Sequence, residues 1–398
     1  MPDSATLNHA ARVLATVAPD LPADVALRRY LYGARRLGPR EKRSVSRAVF
    51  AYFRWRQWLD PKASLQKSVE QAAALQERYD ANERSVKAET LAARAVPGWL
   101  KEEMPLPVDY LRQLQREPAL WIRTRPGTLH KVWRELGDGE RSPHAPDALR
   151  YTGAQDLFLT PSFHQGNFEI QDLASQLVGH ACRPRPGETW WDACAGEGGK
   201  LLHLADLMEN KGVVWATDRN ERRLAVLKRR AARARIFNYR TAAWDGSAKP
   251  PTKTKFDGIL VDAPCSGVGT WQRNPHARWT TTESDVRELA GIQLAMLNHV
   301  AGALKPGGRL VYSVCTLTRS ETLDVTAAFT AAHPELEPTP LFAGSNVPSH
   351  SLPNHTETAE PAAGGEPVRL ATPTVQLALW PQELNANGMF IASWTNRG

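Results

Sequence analysis

Cysteine is scarce in this chain, whose 398 residues include only Cys182, Cys194, Cys265 and Cys315. No two of them form a Cys-x-x-Cys pair, so the ligand spacing of structural zinc sites is absent and no metal is expected. Thiols without a disulfide pattern are typical of a reducing compartment. We therefore expect a cytoplasmic protein.

Several other sequence features are absent. No apolar run approaches the roughly 18 residues of a membrane helix, so no membrane partner is expected. The N-terminal residues MPDSATLNHA lack the charged and then apolar pattern of a signal peptide. Neither a phosphate-binding GxxxxGKS/T loop nor a full GxGxxG fingerprint occurs, and the second absence argues against an NAD-dependent dehydrogenase.

Positive charge exceeds negative charge along the whole chain. Fifty lysines and arginines against 42 acids give a formal net charge of +8, and 42% of the residues are hydrophobic. Such a chain can bury a sizeable core, and its basic excess favours a polyanion partner, with nucleic acid ahead of a membrane surface. A merely basic housekeeping protein is the alternative, and clustering of the charge argues against it.

The sequence pattern changes along the chain and predicts three domains. Residues 1–95 read as helices, and residues 96–160 as a small α+β module punctuated by prolines. Residues 161–398 alternate between strand and helix patterns, which indicates an α/β domain with a parallel sheet. Within it, residues 343–368 are rich in Pro, Ser, Thr, Gly and Glu and predict a flexible surface insertion.

Basic residues cluster in the helical region, where residues 28–56 contain ten of them and the single acid Glu41. The ten are Arg28, Arg29, Arg35, Arg36, Arg40, Lys42, Arg43, Arg47, Arg54 and Arg56. Tyr52, Phe53 and Trp55 lie among them. Basic residues interleaved with aromatics are typical of RNA or DNA contact, although these aromatics are also candidates for the core.

Four strands of the α/β domain are predicted, followed by an antiparallel hairpin. The strands are residues 189–194, Val213–Asp218, Phe256–Asp262 and 310–314, and the hairpin pairs residues 375–380 with 388–394. A helix over residues 219–235 follows the second strand, and a turn at residues 305–308 precedes the fourth. Because ligands bind at the carboxyl ends of parallel strands, the residues that follow these strands are the candidates for a site.

A glycine-rich turn, Cys-Ala-Gly-Glu-Gly-Gly-Lys at residues 194–200, follows the first of these strands. Glycines let the backbone approach a ligand closely, although a plain strand–helix turn has the same pattern. The next strand ends in Asp218, where doubly wound folds bind a ribose diol. Capping the following helix is the alternative role. Asp245, beside another strand end, suits an adenine amino group or simply a turn.

Two cysteines follow later strands at the same sheet edge. Cys265 comes directly after Asp262-Ala263-Pro264, and Cys315 ends the fourth strand. A lone cysteine is most often a buried structural residue. Two cysteines, an aspartate and a glycine loop at one edge instead indicate covalent chemistry by a thiol next to a nucleotide-like cofactor.

These motifs resemble the Sun/Fmu family of RNA cytosine-carbon-5 methyltransferases. The run Asp-Ala-Pro-Cys-Ser-Gly at 262–267, with Tyr-Ser-Val-Cys-Thr at 312–316, carries the resemblance, which extends over about 165–316 and returns at 388–394. It implies a Rossmann-like class I methyltransferase domain, S-adenosylmethionine as cofactor and an RNA-binding helical domain before it. Differences from the family pattern include Glu197 where proline is usual and His276 where an acid is frequent.

For the cofactor, the resemblance implies a set of binding residues. Those of the glycine turn are Cys194, Ala195, Gly196, Glu197, Gly198, Gly199 and Lys200. Asp218 would bind the ribose with Arg223 nearby, and Asp245 would lie at the adenine. Asp262 would sit between the methionine end of the cofactor and the target cytosine.

For catalysis, the resemblance makes Cys315 the nucleophile and Cys265 a residue that assists product release, with Lys200 reaching the cytosine. The chemistry asks for such groups independently. Carbon 5 of cytosine attacks a sulfonium methyl only after a thiolate has added at carbon 6, and an ordinary thiol is only a few per cent ionised at neutral pH. A carboxyl group such as Asp262, hydrogen-bonded to ring nitrogen 3, would stabilise the adduct. The base must be unpaired or flipped to be reached.

Other substrates and another class of function stay open. Ribosomal RNA is expected by analogy with the basic helical domain, and transfer RNA is the alternative. A DNA cytosine-5 methyltransferase would use the Pro-Cys cysteine as nucleophile and carry Glu-Asn-Val, which does not occur here. A non-catalytic RNA-binding ribosome assembly factor is a further alternative, against which the intact Cys315 and Asp262 argue. A monomer is expected.

Overall fold

The computed structural model describes residues 2–342 and 374–398, so the predicted insertion at 343–368 lies outside the described residues. The chain divides into two compact units. The first comprises residues up to 118 together with 267–285, and the second comprises residues 119–266 together with 286–398. The predicted division into three domains, with boundaries at 95 and 160, is finer than this one and stays a prediction.

The first unit is helical, as predicted for residues 1–95. Its helices are α1 (Ser4–Leu14), α2 (Ala23–Gly33), α3 (Pro39–Trp55), α4 (Leu65–Ala81), α5 (Ala88–Arg94), α6 (Leu100–Glu103) and α7 (Val108–Gln113), with 3-10 turns at Arg56–Trp58, Glu83–Ser85, Val268–Thr270 and Ala277–Trp279. The apolar faces of α1 to α4 form one core around the buried Val13, Leu27, Val49 and Val69. Among the described residues, no helix of the protein has the length and apolar character needed to cross a bilayer.

Residues 267–285 belong to this first unit, which the sequence did not predict. Arg278 is fully buried and donates to the Ala95 carbonyl at 3.0 Å. The Trp279 indole donates to the Phe53 carbonyl at 2.6 Å, and the His276 ring packs edge-on against the Phe53 ring. His276, a difference from the family pattern, is therefore a core residue of the helical unit.

The second unit contains two sheets and the helices around them. Its strands are β1 (Leu120–Thr124), β2 (Gly139–Arg141), β3 (Ala148–Tyr151), β4 (Phe168–Ile170), β5 (Thr189–Asp192), β6 (Val213–Asp218), β7 (Tyr239–Ala243), β8 (Phe256–Asp262), β9 (Leu304–Val314), β10 (Leu336–Pro338), β11 (Gln376–Leu379) and β12 (Met389–Asn396). Its helices are α8 (Leu129–Leu136), α9 (Pro161–His164), α10 (Leu173–Cys182), α11 (Gly199–Leu207), α12 (Glu221–Arg233), α13 (Glu283–Ala301), α14 (Leu323–Ala332) and α15 (Pro381–Leu384), with a 3-10 turn at Leu157–Leu159. The first three residues of α13 belong to the first unit.

The larger sheet carries the site. Among the described residues its order is β10-β12-β9-β8-β5-β6-β7, with β11 also paired to β12. Strands β9, β8, β5, β6 and β7 run parallel, and β12 closes the sheet antiparallel to β9. The smaller sheet is antiparallel, in the order β2-β3-β1-β4. The predicted α/β class and the closing hairpin of β11 with β12 are confirmed.

The boundaries of the central elements agree closely with the sequence patterns. Strands β6 and β8 have the predicted ends, because each is rich in apolar residues and ends in an aspartate. Strand β9 begins at Leu304 and includes residues 305–308, which were wrongly predicted as a turn, with an irregularity in its pairing to β8. Ile259, Leu260 and Val261 of β8 are fully buried, as expected for a strand covered on both faces.

Candidate active site

Two thiols meet at the carboxyl edge of the large sheet. Cys265 lies in the loop that follows β8, and Cys315 directly follows β9. Their sulfurs are 3.2 Å apart, and both residues are partly exposed. Adjacent parallel strands bring these two loops together although 50 residues separate the cysteines in sequence. One small ligand at this edge can therefore touch both sulfurs.

A lysine–aspartate pair lies beside the thiols. Lys200 Nζ, on the first turn of α11, donates to Asp262 Oδ2 at 2.6 Å, and the Ser313 hydroxyl donates to Asp262 Oδ1 at 2.8 Å. Burial alone would lower the pKa of Lys200, but the charge and hydrogen bond of Asp262, with a smaller contribution from Cys315, leave that pKa raised. Lys200 is therefore protonated at neutral pH, and a cation beside a thiol favours the thiolate.

The other two cysteines are poor nucleophiles. Burial raises the pKa of the Cys182 thiol and of the Cys194 thiol well above the usual range, and nearby aspartates add to the shift at Cys194. A thiol that stays protonated neither attacks nor binds as a thiolate. Cys194 therefore contributes to the glycine turn through its backbone, and the reactive candidates are Cys265 and Cys315.

The glycine turn is shaped by two residues with left-handed backbone. Gly196 has φ +54° and its N–H donates to Asp218 Oδ2 at 2.9 Å. Gly198 has φ +87° and precedes α11, and a Cβ there would lie 2.7 Å from the Leu227 side chain. A Cβ at Gly196 would come within 2.3 Å of the Arg223 guanidinium. The turn thus requires glycine at these positions and leaves its backbone open to a ligand.

Asp218 is buried at the end of β6 and is already engaged. It accepts hydrogen bonds from the backbone N–H groups of Gly196 and Asn220 and from Arg223, at 2.8–3.3 Å. A carboxylate has about four acceptor positions, so one is left for a ligand hydroxyl. The alternative role as helix cap is wrong, because the Asn220 side chain caps α12 by accepting from the Arg222 N–H.

Asp245 is exposed in the turn after β7. It accepts a hydrogen bond from the Ser247 N–H at 3.0 Å, and hydrogen bonding to Ser247 lowers its pKa. A cavity of about 380 Å³ lies here, lined by Arg219, Trp244, Asp245 and Lys249 among others. The backbone N–H of Trp244 donates to the Asp218 backbone carbonyl, so the ends of β6 and β7 are neighbours. The cavity has room for a flat heterocycle beside the aspartate.

Asp192 lies at the same sheet edge, and its sequence pattern predicted no role for it. It ends β5, directly before the glycine turn, and it is fully buried. Among the described residues neither of its carboxylate oxygens has a partner in good hydrogen-bond geometry, although the Cys194 backbone N–H is near enough to lower its pKa slightly against the larger effect of burial. Burial, with the nearby Asp262 charge, raises the pKa of Asp192 to about 7. An acid at the end of the first parallel strand was visible in the sequence, but its lack of a partner was not.

An unpartnered buried carboxylate fits a ligand that carries a cationic amine. The amino-acid end of S-adenosylmethionine is such a group, and the diol and adenine ends suit Asp218 and Asp245. The chain's own residues thus fit the predicted cofactor at all three ends. Lys200, which ends the glycine turn and bonds to Asp262, connects this ligand site to the two thiols.

We expect Asp192→Asn to have opposite effects with and without ligand. Folding raises the pKa of Asp192, so the unfolded chain releases this proton at lower pH than the native protein does. The free energy of unfolding therefore falls as the pH rises from about 4 through 7. The variant should therefore stabilise the ligand-free protein by about 1–3 kcal/mol at pH 8 and much less at pH 5. Affinity for S-adenosylmethionine should fall by about 100-fold or more, because a buried charge pair loses one partner.

Thermal melts at both pH values and calorimetric titration measure these effects. Asp206→Asn is the control, since Asp206 is a buried aspartate of the same unit whose partners Arg123 and Arg125 are already in place. That variant should lower stability at both pH values. An Asp192→Asn protein with unchanged affinity for S-adenosylmethionine would contradict the assignment.

The basic cluster of the first unit forms a candidate nucleic-acid interface. Arg54 alone of its ten basic residues is buried, and it donates to Gln76 Oε1 at 2.7 Å. Burial lowers the pKa of Arg54 to about 10. Phe53 and Trp55, grouped with the cluster from sequence, are core residues, whereas Tyr32 is 85% exposed beside the arginines of α2. Tyr32 is therefore an aromatic exposed for stacking in this region.

The fold of the second unit is the Rossmann-like class I methyltransferase fold. The solved structure of the protein PH0851 matches 99% of both chains with a TM-score of 0.75 at 22% identity, which shows the fold. A family model described as 16S rRNA methyltransferase RsmB/F matches residues 180–395, more than half of the chain. The protein belongs to this family, as its two cysteine motifs predicted.

Curated relatives support the same family. A probable ribosomal RNA small subunit methyltransferase B of Bacillus subtilis is 35% identical over 266 residues, which is 66% of this chain and 55% of the relative. The ribosomal RNA small subunit methyltransferase B of Klebsiella pneumoniae is 33% identical over 236 residues, which is 56% of this chain and 53% of the relative. The chain thus spans about half the length of the curated relatives it matches.

Proposed function

We propose that this protein transfers a methyl group from S-adenosylmethionine to carbon 5 of a cytosine in RNA, through a covalent adduct on Cys315. The observation that carries the proposal is the pair of thiols 3.2 Å apart, next to the Lys200–Asp262 pair and the glycine turn. Names of the curated relatives favour ribosomal RNA of the small subunit over transfer RNA as the substrate. A monomeric state and a cytoplasmic location belong to the same proposal.

The cofactor would be held by the loop from Cys194 to Lys200, with Asp192 at its amine, Asp218 and Arg223 at its ribose and Asp245 at its adenine. S-adenosylmethionine supplies an activated methyl group when bound. The backbone of Gly196 and Gly198 offers the close approach that the cofactor needs, because neither residue carries a Cβ. Lys200 holds Asp262 in place between this pocket and the two thiols.

Cys315 starts the reaction in this proposal. Its thiolate adds to carbon 6 of cytosine, which makes carbon 5 nucleophilic enough to accept the methyl group. The addition moves negative charge onto the ring, toward nitrogen 3. Lys200 Nζ donates one proton to Asp262 Oδ2 at 2.6 Å and keeps two further N–H donors, one of which can be offered to that nitrogen.

The second half of the reaction releases the RNA. The carbon-5 proton leaves to a base, the bond from Cys315 Sγ to carbon 6 breaks, and the 5,6 double bond returns with a regenerated thiolate. Cys265 Sγ lies close enough to Cys315 Sγ to accept this proton and assist the departure. The two cysteines therefore have different roles, attack for Cys315 and release for Cys265.

Binding of RNA is assigned to the basic cluster at residues 28–56, which spans α2, α3 and the loop between them. Replacing Arg28, Arg29, Arg35 and Arg36 with glutamine should raise the Michaelis constant for RNA and leave the turnover rate unchanged. A plot of log affinity against log salt concentration has a negative slope. This slope should become less steep by about 0.7 for each phosphate of a single strand that the variant no longer neutralises. Filter binding at several salt concentrations measures the slope.

Four exposed lysines of the same unit outside the cluster serve as the control: Lys62, Lys67, Lys87 and Lys101. Their glutamine variants remove the same charge from other surfaces. An equal decrease of the salt dependence in both quadruple variants would mean that the interface is non-specific and the cluster has no special role.

The function itself is tested by activity on defined nucleic acids. The protein is incubated with methyl-labelled S-adenosylmethionine and, separately, ribosomal RNA of the small subunit, transfer RNA and DNA, and 5-methylcytosine is mapped by sequencing. The proposal expects one or a few cytosines methylated in ribosomal RNA. Methylation of transfer RNA alone would change the substrate, and binding without methylation would favour the assembly-factor alternative.

A further inference from the structure

The loop that carries Cys265 has no regular secondary structure between β8 and the turn that begins at Val268. Its position therefore depends on specific hydrogen bonds. Ser266 makes two of them to one side chain: its N–H donates to Glu321 Oε1 at 2.8 Å, and its hydroxyl donates to Glu321 Oε2 at 2.5 Å. Glu321 is fully buried, between β9 and α14.

Other polar groups fix Glu321 in turn. Gln293 of α13 donates to Glu321 Oε1 at 2.9 Å and to the Pro264 carbonyl at 3.0 Å, so it bonds the loop on the other side of Cys265. Thr318 donates to Glu321 Oε2 at 2.8 Å, and the Tyr312 hydroxyl lies 2.6 Å from the Glu321 carbonyl. Burying an ionised carboxylate is costly unless it is hydrogen-bonded in this way.

From these contacts we infer that Glu321 is a positioning residue that sets Cys265 Sγ against Cys315 Sγ. The residues on both sides of Cys265 are bonded to Glu321 or to its partner Gln293. Cys315 instead directly follows β9, and the network reaches only its neighbour Thr316, through the hydroxyls of Ser266 and Thr318 at 3.1 Å each. Removal of the carboxylate would therefore displace Cys265 and leave Cys315 in place. The inference rests on the proposed function, because it assigns Cys265 to the release step.

The expected consequence is a defect in release, not in attack. In Glu321→Gln, Cys315 should still add to the cytosine and the methyl group should still be transferred. Cys265 would then be misplaced, and an error of about 1 Å in a reacting group costs about 100-fold in rate. The variant should therefore accumulate a covalent protein–RNA complex and turn over about 100-fold more slowly, with an unchanged Michaelis constant for S-adenosylmethionine.

A matched control exists in the same unit. Glu135 accepts from the Ser162 N–H at 2.9 Å and from the Ser162 hydroxyl at 2.5 Å, the same two-point bond at a place with no reactive cysteine. Glu321→Gln and Ser266→Ala are compared with Glu135→Gln and Ser162→Ala. Ser266→Ala removes the hydroxyl that contacts Glu321 and Thr316 and keeps the N–H bond to Glu321, so it tests the inference even if Glu321→Gln fails to fold.

The assay follows small-subunit ribosomal RNA on denaturing gels with S-adenosylmethionine present, and includes wild type and Cys265→Ala. A slow-migrating complex with Glu321→Gln or Ser266→Ala, absent with Glu135→Gln and Ser162→Ala, supports the inference. If Cys265→Ala traps RNA and neither loop variant does, Glu321 has only a structural role and the inference is overturned while the proposed function stands. If wild type makes no 5-methylcytosine and Cys265→Ala traps nothing, both fall together.

Discussion

Replacement of Cys315 with alanine should abolish methylation of RNA and leave no covalent complex. In the proposed mechanism, nothing adds to carbon 6 without a thiolate at this position, and carbon 5 stays too weak a nucleophile to take the methyl group. The rate should fall by about 10⁴-fold or more, as for the removal of other covalent nucleophiles. Affinity for S-adenosylmethionine should be unchanged, because the cofactor residues lie on other loops.

Replacement of Cys265, the thiol beside Cys315, should have a different effect on the reaction. Cys265→Ala keeps the nucleophile, so it should form the adduct and transfer the methyl group once, then stay attached to the RNA. Cys182→Ala is the control, since this buried thiol has a raised pKa and no place at the site. That variant should methylate RNA normally. A trapped complex with Cys315→Ala instead of Cys265→Ala would reverse the two roles and make the site resemble the DNA enzymes.

The second large effect is expected at Lys200. Lys200→Met removes the cation beside Cys315 and the donor to Asp262 Oδ2. Both the thiolate and the charge that develops on the cytosine ring would lose stabilisation. Removal of one such preorganised donor costs about 100- to 1,000-fold in turnover. Single-turnover rates with saturating RNA and S-adenosylmethionine measure this effect directly.

Another lysine–aspartate pair of the same unit provides the control for Lys200. Lys305 Nζ lies 2.9 Å from both carboxylate oxygens of Asp257, at the opposite ends of β8 and β9 from the thiols. Lys305→Met should leave the rate of methyl transfer within about threefold of wild type, because a partly exposed pair contributes little. Comparable decreases in both variants would mean that the effect at Lys200 is one of stability.

The parallel sheet and its edge were predictable from sequence because their signals are local. Strands β6 and β8 are short, mainly apolar segments that end in Asp218 and Asp262, and the glycine turn breaks the pattern between a strand and a helix. The rule that neighbouring parallel strands end at one edge placed Cys265 and Cys315 there together. The distance of 3.2 Å between their sulfurs agrees with that placement.

The features that were missed depend on contacts distant in sequence. Residues 267–285 join the helical unit through Arg278 and Trp279, which bond to carbonyls more than 150 residues away along the chain. The burial of Arg54 depends on Gln76, and the role inferred for Glu321 depends on Ser266. A charge count or a strand pattern holds no information about such partners, so Arg54 looked like an exposed basic residue.

The most direct test of a Cys315 adduct is mass spectrometry of the trapped complex. Fluorine at carbon 5 of cytosine cannot leave as a proton does, so RNA substituted with 5-fluorocytidine should hold the enzyme after methyl transfer. Digestion with protease and nuclease should then yield the peptide containing Cys315, heavier by one fluorinated and methylated cytidine nucleotide. The same mass on the Cys265 peptide, or no nucleotide on either peptide while ordinary RNA is methylated, would contradict the mechanism.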